Sequence, residues 1–129
     1  MQMVSTKAIQ KISVAVLLLA IAPAIARERV PHQEGECVMT HIASIGTRLE
    51  GIADSGDQVT YSNGILQVSY DKIAGLKGAR VHDAIELCLT TIPDDCPPGD
   101  TRGKTYRATD LRTHRSWEAA DSEHMCGGA

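Results

Sequence analysis

Asp121, Ser122 and His124 fall within four residues of one another near the end of the chain, and they are the residue types of a hydrolase triad. A triad needs three side chains that converge beside an oxyanion hole. Neighbours in a tail do not converge, and no Gly-x-Ser-x-Gly elbow occurs. His124 and Cys126 stand two apart and, with His114, offer ligands of the kind that hold Zn²⁺ or copper. No second close pair completes that site. The paired acids Asp94-Asp95 and Asp121/Glu123 lie in loop-like sequence and read as solvated surface rather than as acid–base partners. His32 sits in a polar stretch and is expected to be solvated. A small metal protein or hydrolase using His114, Asp121 and His124 is thus the second reading of the sequence. The first reading has no catalytic residue, no metal and no cofactor.

The other chemistry is ionic. Arg102, Lys104, Arg107, Arg112 and Arg115 form a basic stretch with Tyr106 and Trp117 interleaved. On alternate positions of a hairpin some of these would give a basic, partly aromatic face for an acidic protein, a phosphate or an anionic glycan. The bland reading is a solvated strand face with ion pairs to Asp110 and Glu118. The candidate binding residues are Arg102, Tyr106, Arg107, Arg112 and Trp117, and the stiff loop from Cys96 to Arg102 lies beside them. Exchanging Arg112 and Trp117 together is expected to abolish partner capture at nearly constant melting temperature.

The segments that must position these residues begin after a leader. Lys7 and Lys11 precede the apolar run Ile12–Ala22, and Pro23-Ala-Ile-Ala26 follows. That is a charged n-region, an h-region too short for a comfortable span, and an Ala-x-Ala signal. Residues 1–26 read as a signal peptide cut after Ala26, 27–36 as a loose leader, and 37–129 as one small β-rich domain. Of 129 residues, 129 − 26 = 103 remain. The two leader lysines go, so the charge becomes 11 − 16 = −5. A modestly acidic domain argues against nucleic acid as partner. An envelope protein or an anionic ligand stays open, and no membrane span is expected after cleavage. The expected location is periplasmic or secreted.

Cys37, Cys88, Cys96 and Cys126 all follow the leader. An even count in a small exported domain reads as two disulfides. The chain has no Phe and one Trp, so cross-links of about 2–4 kcal/mol each would support a limited core. Three pairings are possible. Cys88–Cys96 would close the Pro-containing loop and Cys37–Cys126 would tie the ends, and this combination is the favoured one.

The clearest local signal is Val59-Thr-Tyr-Ser-Asn-Gly-Ile-Leu-Gln-Val-Ser-Tyr70. Asn63-Gly64 between β-forming runs predicts a hairpin with a two-residue type I′ loop. That register puts Thr60 opposite Gln67 and Val59 opposite Val68. Val59, Tyr61, Leu66, Val68 and Tyr70 would share the apolar face. Ala84–Ile92 alternates Ile85, Leu87 and Leu89 against Glu86, Cys88 and Thr90 and reads as a strand, though a helix also fits its spacing. Residues 37–50 read as a strand or bent strand. Residues 71–82, with two glycines, read as a loop with at most one helical turn. Lys104 to Asp121 reads as a second hairpin, in which a two-residue loop places Tyr106, Ala108, Trp117 and Ala119 on one face. Four to six short strands predict an all-β domain with at most one short helix, a small antiparallel barrel or sandwich stabilised by disulfides.

Leu87-Cys-Leu89, Cys96-Pro-Pro-Gly-Asp100, Arg102-Gly103, Trp117 and His124-Met-Cys-Gly-Gly-Ala129 resemble the C-terminal pattern of a group of small exported bacterial proteins. The resemblance covers roughly residues 59–129 and implies a compartment but no activity. A looser resemblance is to small periplasmic β-barrels that inhibit lysozyme. Gly103-Lys-Thr-Tyr106 matches part of their Ser-Gly-x-x-Tyr inhibitory loop, with Arg102 where that loop has Ser.

Overall fold

The computed structural model describes residues 2–4, 7–23 and 27–128. The expected cut after Ala26 lies outside the described residues. Residues 7–23 carry no regular structure, and the apolar side chains from Ile12 to Ile21 that are recorded there are exposed. Among the described residues no helix is long and apolar enough to cross a membrane.

The described residues form six strands: β1 (Cys37–Thr47), β2 (Asp57–Tyr61), β3 (Leu66–Ser69), β4 (Ala84–Thr91), β5 (Thr105–Asp110) and β6 (Ser116–Ala120). The only helical element among the described residues is the 3₁₀ turn Ala74–Leu76. All pairs are antiparallel, and the strands close a barrel in the order β1-β2-β3-β6-β5-β4. The architecture is two three-stranded meanders, β1–β3 and β4–β6, set edge to edge. One seam, β1 with β4, runs over five residue pairs from Cys37↔Cys88 to His41↔Ala84. The other, β3 with β6, has the single pair Val68↔Ala120. β1 serves two partners by bending. Its first half pairs with β4 and its second half with β2, and the register shifts between Ile42 and Ser44.

Alternation sends Val38 and Ile42, Val59 and Tyr61, Ile85, Leu87 and Leu89, Tyr106 and Ala108, and Trp117 into the barrel. The strand reading of Ala84–Ile92 holds over Ala84–Thr91 and that of residues 37–50 over Cys37–Thr47, and the single helical turn within 71–82 is present. Pairing of Tyr106 with Ala119 and of Ala108 with Trp117 gives the expected shared face of the second hairpin, although its loop has four residues, Leu111–His114, closed by Asp110 and Arg115.

Three expectations are corrected. The first hairpin has a three-residue loop. Tyr61 N–H donates to Ile65 O, Gly64 N–H donates to Tyr61 O, and only Gly64 (φ +90°) is left-handed. This is a type I turn followed by a left-handed glycine. Asn63 keeps negative φ because its side chain is engaged: Oδ1 accepts from Ile65 N–H and Nδ2 donates to Arg29 O. The register therefore moves by one, Thr60 faces Leu66 and Val59 faces Gln67. Gln67 enters the barrel and Tyr70 lies outside it, 54% exposed.

The disulfides are Cys37–Cys88 and Cys96–Cys126, not the favoured pairing. Strand order decides this. β1 and β4 place Cys37 directly opposite Cys88, with Cα atoms 4.0 Å apart. The β4–β5 loop and the tail after β6 leave the same end of the second meander, so Cys96 meets Cys126.

The stretch 27–36, expected to be loose, is bonded to the barrel. The Glu28 carboxylate accepts from the Thr40 and Ser62 hydroxyls and meets His41 Nδ1 at 3.3 Å. Those bonds, Ser62 first, hold its carboxyl below the usual range. Pro31 is buried, and the Glu36 carboxylate accepts from the backbone N–H groups of His32 and Gln33.

Candidate functional site

The residues singled out from sequence divide between the inside and the outside of the wall. Tyr106 and Trp117 point into the core. Trp117 Nε1–H donates to Gln67 Oε1 at 3.0 Å and to the Tyr61 hydroxyl at 3.1 Å. Burial pushes the Tyr106 hydroxyl up to about 12, helped by the charge of Asp121. Arg107 lies on the outer face opposite Glu118. Strand alternation thus separates the basic side chains from the aromatic ones, and a basic, partly aromatic face does not form.

Two of the arginines are consumed internally. Arg112 donates from Nε and Nη2 to the two oxygens of Asp83 at 2.7 and 2.8 Å, and from Nη2 to Gly78 O. This fork holds the Asp83 carboxyl well below the usual carboxylate range. Arg102 makes the same fork to Asp100 at 2.9 and 2.8 Å, and Asp100 also accepts from Gly127 N–H. Exchanging Arg112 and Trp117 therefore removes two structural anchors, and the expected constancy of melting temperature does not follow. The partial match Gly103-Lys-Thr-Tyr106 is likewise structural, because its tyrosine is in the core.

The second reading does not assemble. His114 is in the β5–β6 loop, at the end of the barrel where Asp110 meets Arg115. Asp121 is at the other end, where its N–H donates to Lys104 O. The five residues of β6 between them span about 17 Å. Asp121 Oδ1 is already occupied by the N–H groups of Gly103 and Lys104. Cys126 is in a disulfide and offers no thiolate beside His124.

What the fold does assemble is a groove that combines four separate segments. It is lined by Ile45 of β1, Asp57 of β2, residues of the segment Lys72–Lys77 and Arg115 just before β6, and is an open depression of about 540 Å³. That is within the size range of small-molecule sites. Ile73 and Leu76 pack on the core and form an apolar floor with Ile45. Asp57 directs one oxygen to Ile73 N–H at 2.6 Å, which fixes the start of the turn. Lys72, Lys77 and Arg115 are exposed on the rim. Among the described residues none of the three has a salt-bridge partner.

Gly75 brings the groove together. A Cβ there would stand 2.3 Å from Ser116 O and 2.9 Å from Trp117 Cβ. Only glycine lets the 3₁₀ turn lie directly on the backbone of β6, which sets Lys72 and Lys77 beside Arg115. No family model matches the chain, and no curated protein and no solved structure matches it. The groove groups three cations and the Asp57 carboxylate around an apolar floor, an arrangement that can hold an anion.

Of the sequence candidates, only Arg115 of the basic stretch reaches this groove. Lys72 and Lys77 were hidden in a segment read as a connecting loop. The available signal was the pattern Lys72-Ile-Ala-Gly-Leu-Lys77, which brackets two core-seeking residues with cations.

Proposed function

We propose that the protein is an exported, non-enzymatic binding domain whose site is the Lys72–Lys77–Arg115 groove. Its ligand is an anion with an apolar body, of the alkyl carboxylate class. The observation that carries this reading is the grouping of three cations without salt-bridge partners around an apolar floor, on a domain whose charge after the expected cut is 11 − 16 = −5. Three cations face the single Asp57 carboxylate, which accepts from Ile73 N–H and forms no salt bridge with them, so an anion from outside relieves the excess positive charge and its chain covers Ile45, Ile73 and Leu76. Export is supported by the leader sequence, by the resemblance to small exported bacterial proteins, and by two disulfides of the kind kept in oxidising compartments.

The test is a heteronuclear magnetic resonance titration with decanoate, with glutamate as a charge-only control and decyl maltoside as an apolar-only control. Decanoate should shift Ile45, Ile73 and Leu76 saturably, and each control should be weaker by at least about tenfold, the loss of roughly one 1.4 kcal/mol interaction. The variant Lys72→Glu, Lys77→Glu, Arg115→Glu should lose binding and keep its melting temperature. No saturable shift at these residues, or unchanged binding by the triple variant, sinks the reading. Equal response to glutamate and decanoate would reassign the site to small hydrophilic anions.

A further inference from the structure

The outer face of the β1–β4 seam carries a second group of ligating side chains. Cys37 faces Cys88, and on the next outward position Met39 faces Glu86. The two sulfurs and a Glu86 carboxylate oxygen lie within 4.8 Å of one another. Cys88 also faces Arg107 on its other side. Among the described residues Glu86 has no salt-bridge partner.

We propose that reduction of the Cys37–Cys88 disulfide by a dithiol converts this face into a site for one thiophilic divalent cation of the Zn²⁺ class, held by Cys37, Cys88 and Glu86. The sulfur attacked is that of Cys37, which is exposed, whereas Cys88 is 3% exposed. The reductant's thiolate forms a bond to Cys37 Sγ as the Cys37–Cys88 bond breaks, and Cys88 leaves as a thiolate beside the Arg107 guanidinium. The reductant's second thiol then displaces Cys37 from the mixed disulfide. Two electrons and two protons pass to the protein, and the reductant ends as a disulfide. Metal entry releases both thiol protons to solvent.

The ladder holds the ligands in place without the covalent bond. Pairs from Val38↔Leu87 to His41↔Ala84 flank the cysteines on one side. On the other, Leu89 N–H donates to Glu36 O and Gly35 N–H donates to Leu89 O. Charge selects the ion. Two thiolates, one carboxylate and one guanidinium sum to minus two, which a divalent cation neutralises and a monovalent one does not. Two sulfurs and one oxygen, with a fourth position open to water, suit Zn²⁺ or Cd²⁺. The Cys96–Cys126 pair has no such frame, since it joins a loop to the tail outside any strand pairing.

The experiment uses the oxidised protein, reduced without oxygen and freed of reductant, with Cd²⁺ as the probe. Readouts are the thiolate-to-metal absorption, metal stoichiometry, backbone circular dichroism, and alkylation of each cysteine mapped by mass spectrometry. The expected result is one Cd²⁺ per chain with the β signal retained. Cys37 and Cys88 should be protected from alkylation and Cys96 and Cys126 modified. Cys37→Ser should abolish stoichiometric Cd²⁺ binding, and Glu86→Gln should weaken binding about tenfold or more. The variant Cys96→Ser, Cys126→Ser should bind Cd²⁺ unchanged. Absence of bound metal, protection confined to Cys96 and Cys126, full binding by Cys37→Ser, or loss of the β signal when only Cys37 and Cys88 are reduced would each overturn the proposal.

Discussion

Gln67 has two amide hydrogens and one carbonyl oxygen to satisfy, and it is fully buried. All of them find partners. Nε2 donates to Tyr106 O and Ala119 O at 2.7 and 3.0 Å, and Oε1 accepts from the Tyr61 hydroxyl and Trp117 Nε1. A side chain from β3 thus bonds the backbone of β6 across the seam that has a single ladder pair. Gln67→Leu would keep the volume and leave Trp117 Nε1–H bonded to the Tyr61 hydroxyl, but it takes the Gln67 partner from the Tyr106 and Ala119 carbonyls and from the Tyr61 hydroxyl hydrogen, each loss costing about 1–3 kcal/mol. The expected loss is about 4 kcal/mol by chemical denaturation, whereas Leu66→Ala, on a half-buried neighbour, should cost less than half of that. Acid stability rests on another residue. The Arg112 fork depresses the folded-state value of Asp83 below the unfolded one of about 3.9. The stability this contributes is fully present above about pH 4 and is lost as pH falls through the folded value. Arg112→Gln should therefore destabilise the protein at neutral pH and flatten the decline of melting temperature below pH 4. A parallel decline in both proteins would show that the pair is not the acid-sensitive contact.

Among the elements, the 3₁₀ turn Ala74–Leu76 contributes most per residue to the groove. Gly75→Ala places a methyl against Ser116 O, where backbone rather than a flexible side chain must move. Overpacking of this kind costs about 1–3 kcal/mol. The variant should melt lower and bind decanoate more weakly, while Gly46→Ala, whose Cβ meets nothing within 4 Å, should do neither. Elements were legible in the sequence to the extent that their signals are local. Ile85, Leu87 and Leu89 alternate, and they form a core strand. Asn63-Gly64 marks a corner, and a corner forms there. The same dipeptide serves a two-residue loop with two left-handed residues and a three-residue loop with one, so the register was not legible. Burial of Gln67 was not legible either, because only the pairing partners supplied by β5 and β6 make a buried amide tolerable. The cysteine pairing and the meeting of Arg115 with Lys72 and Lys77 depend on strand order, which no local pattern encodes.

The whole barrel has a strong seam and a weak one. β1 and β4 share five pairs and a disulfide, while β3 and β6 share one pair and the Gln67 bonds. Opening should therefore begin between the meanders at β3 and β6. Amide hydrogen exchange should be slowest in Val38–Thr40 and Glu86–Leu89 and faster by about tenfold or more in Val68 and Ala120, a local opening free energy lower by at least about 1.4 kcal/mol. Equal protection at the two seams would contradict this order.

The two cross-links also set how the chain carries tension. Between Cys37 and Cys126 the backbone runs 126 − 37 = 89 residues, but with both bonds formed a pull on the ends passes through Cys37–Cys88, the 96 − 88 = 8 residues to Cys96, and Cys96–Cys126. At about 3.5 Å per residue, with the two cross-links adding Cα spans of 4.0 and 5.4 Å, that covalent path is at most about 37 Å long, against about 310 Å for the reduced chain. Strands β2, β3, β5 and β6 lie wholly in side loops off this path. A force applied at the ends therefore reaches the groove lined by β2, the 3₁₀ turn and Arg115 only through non-covalent contacts, so the oxidised protein behaves as a short, nearly inextensible link whose groove is shielded from the load.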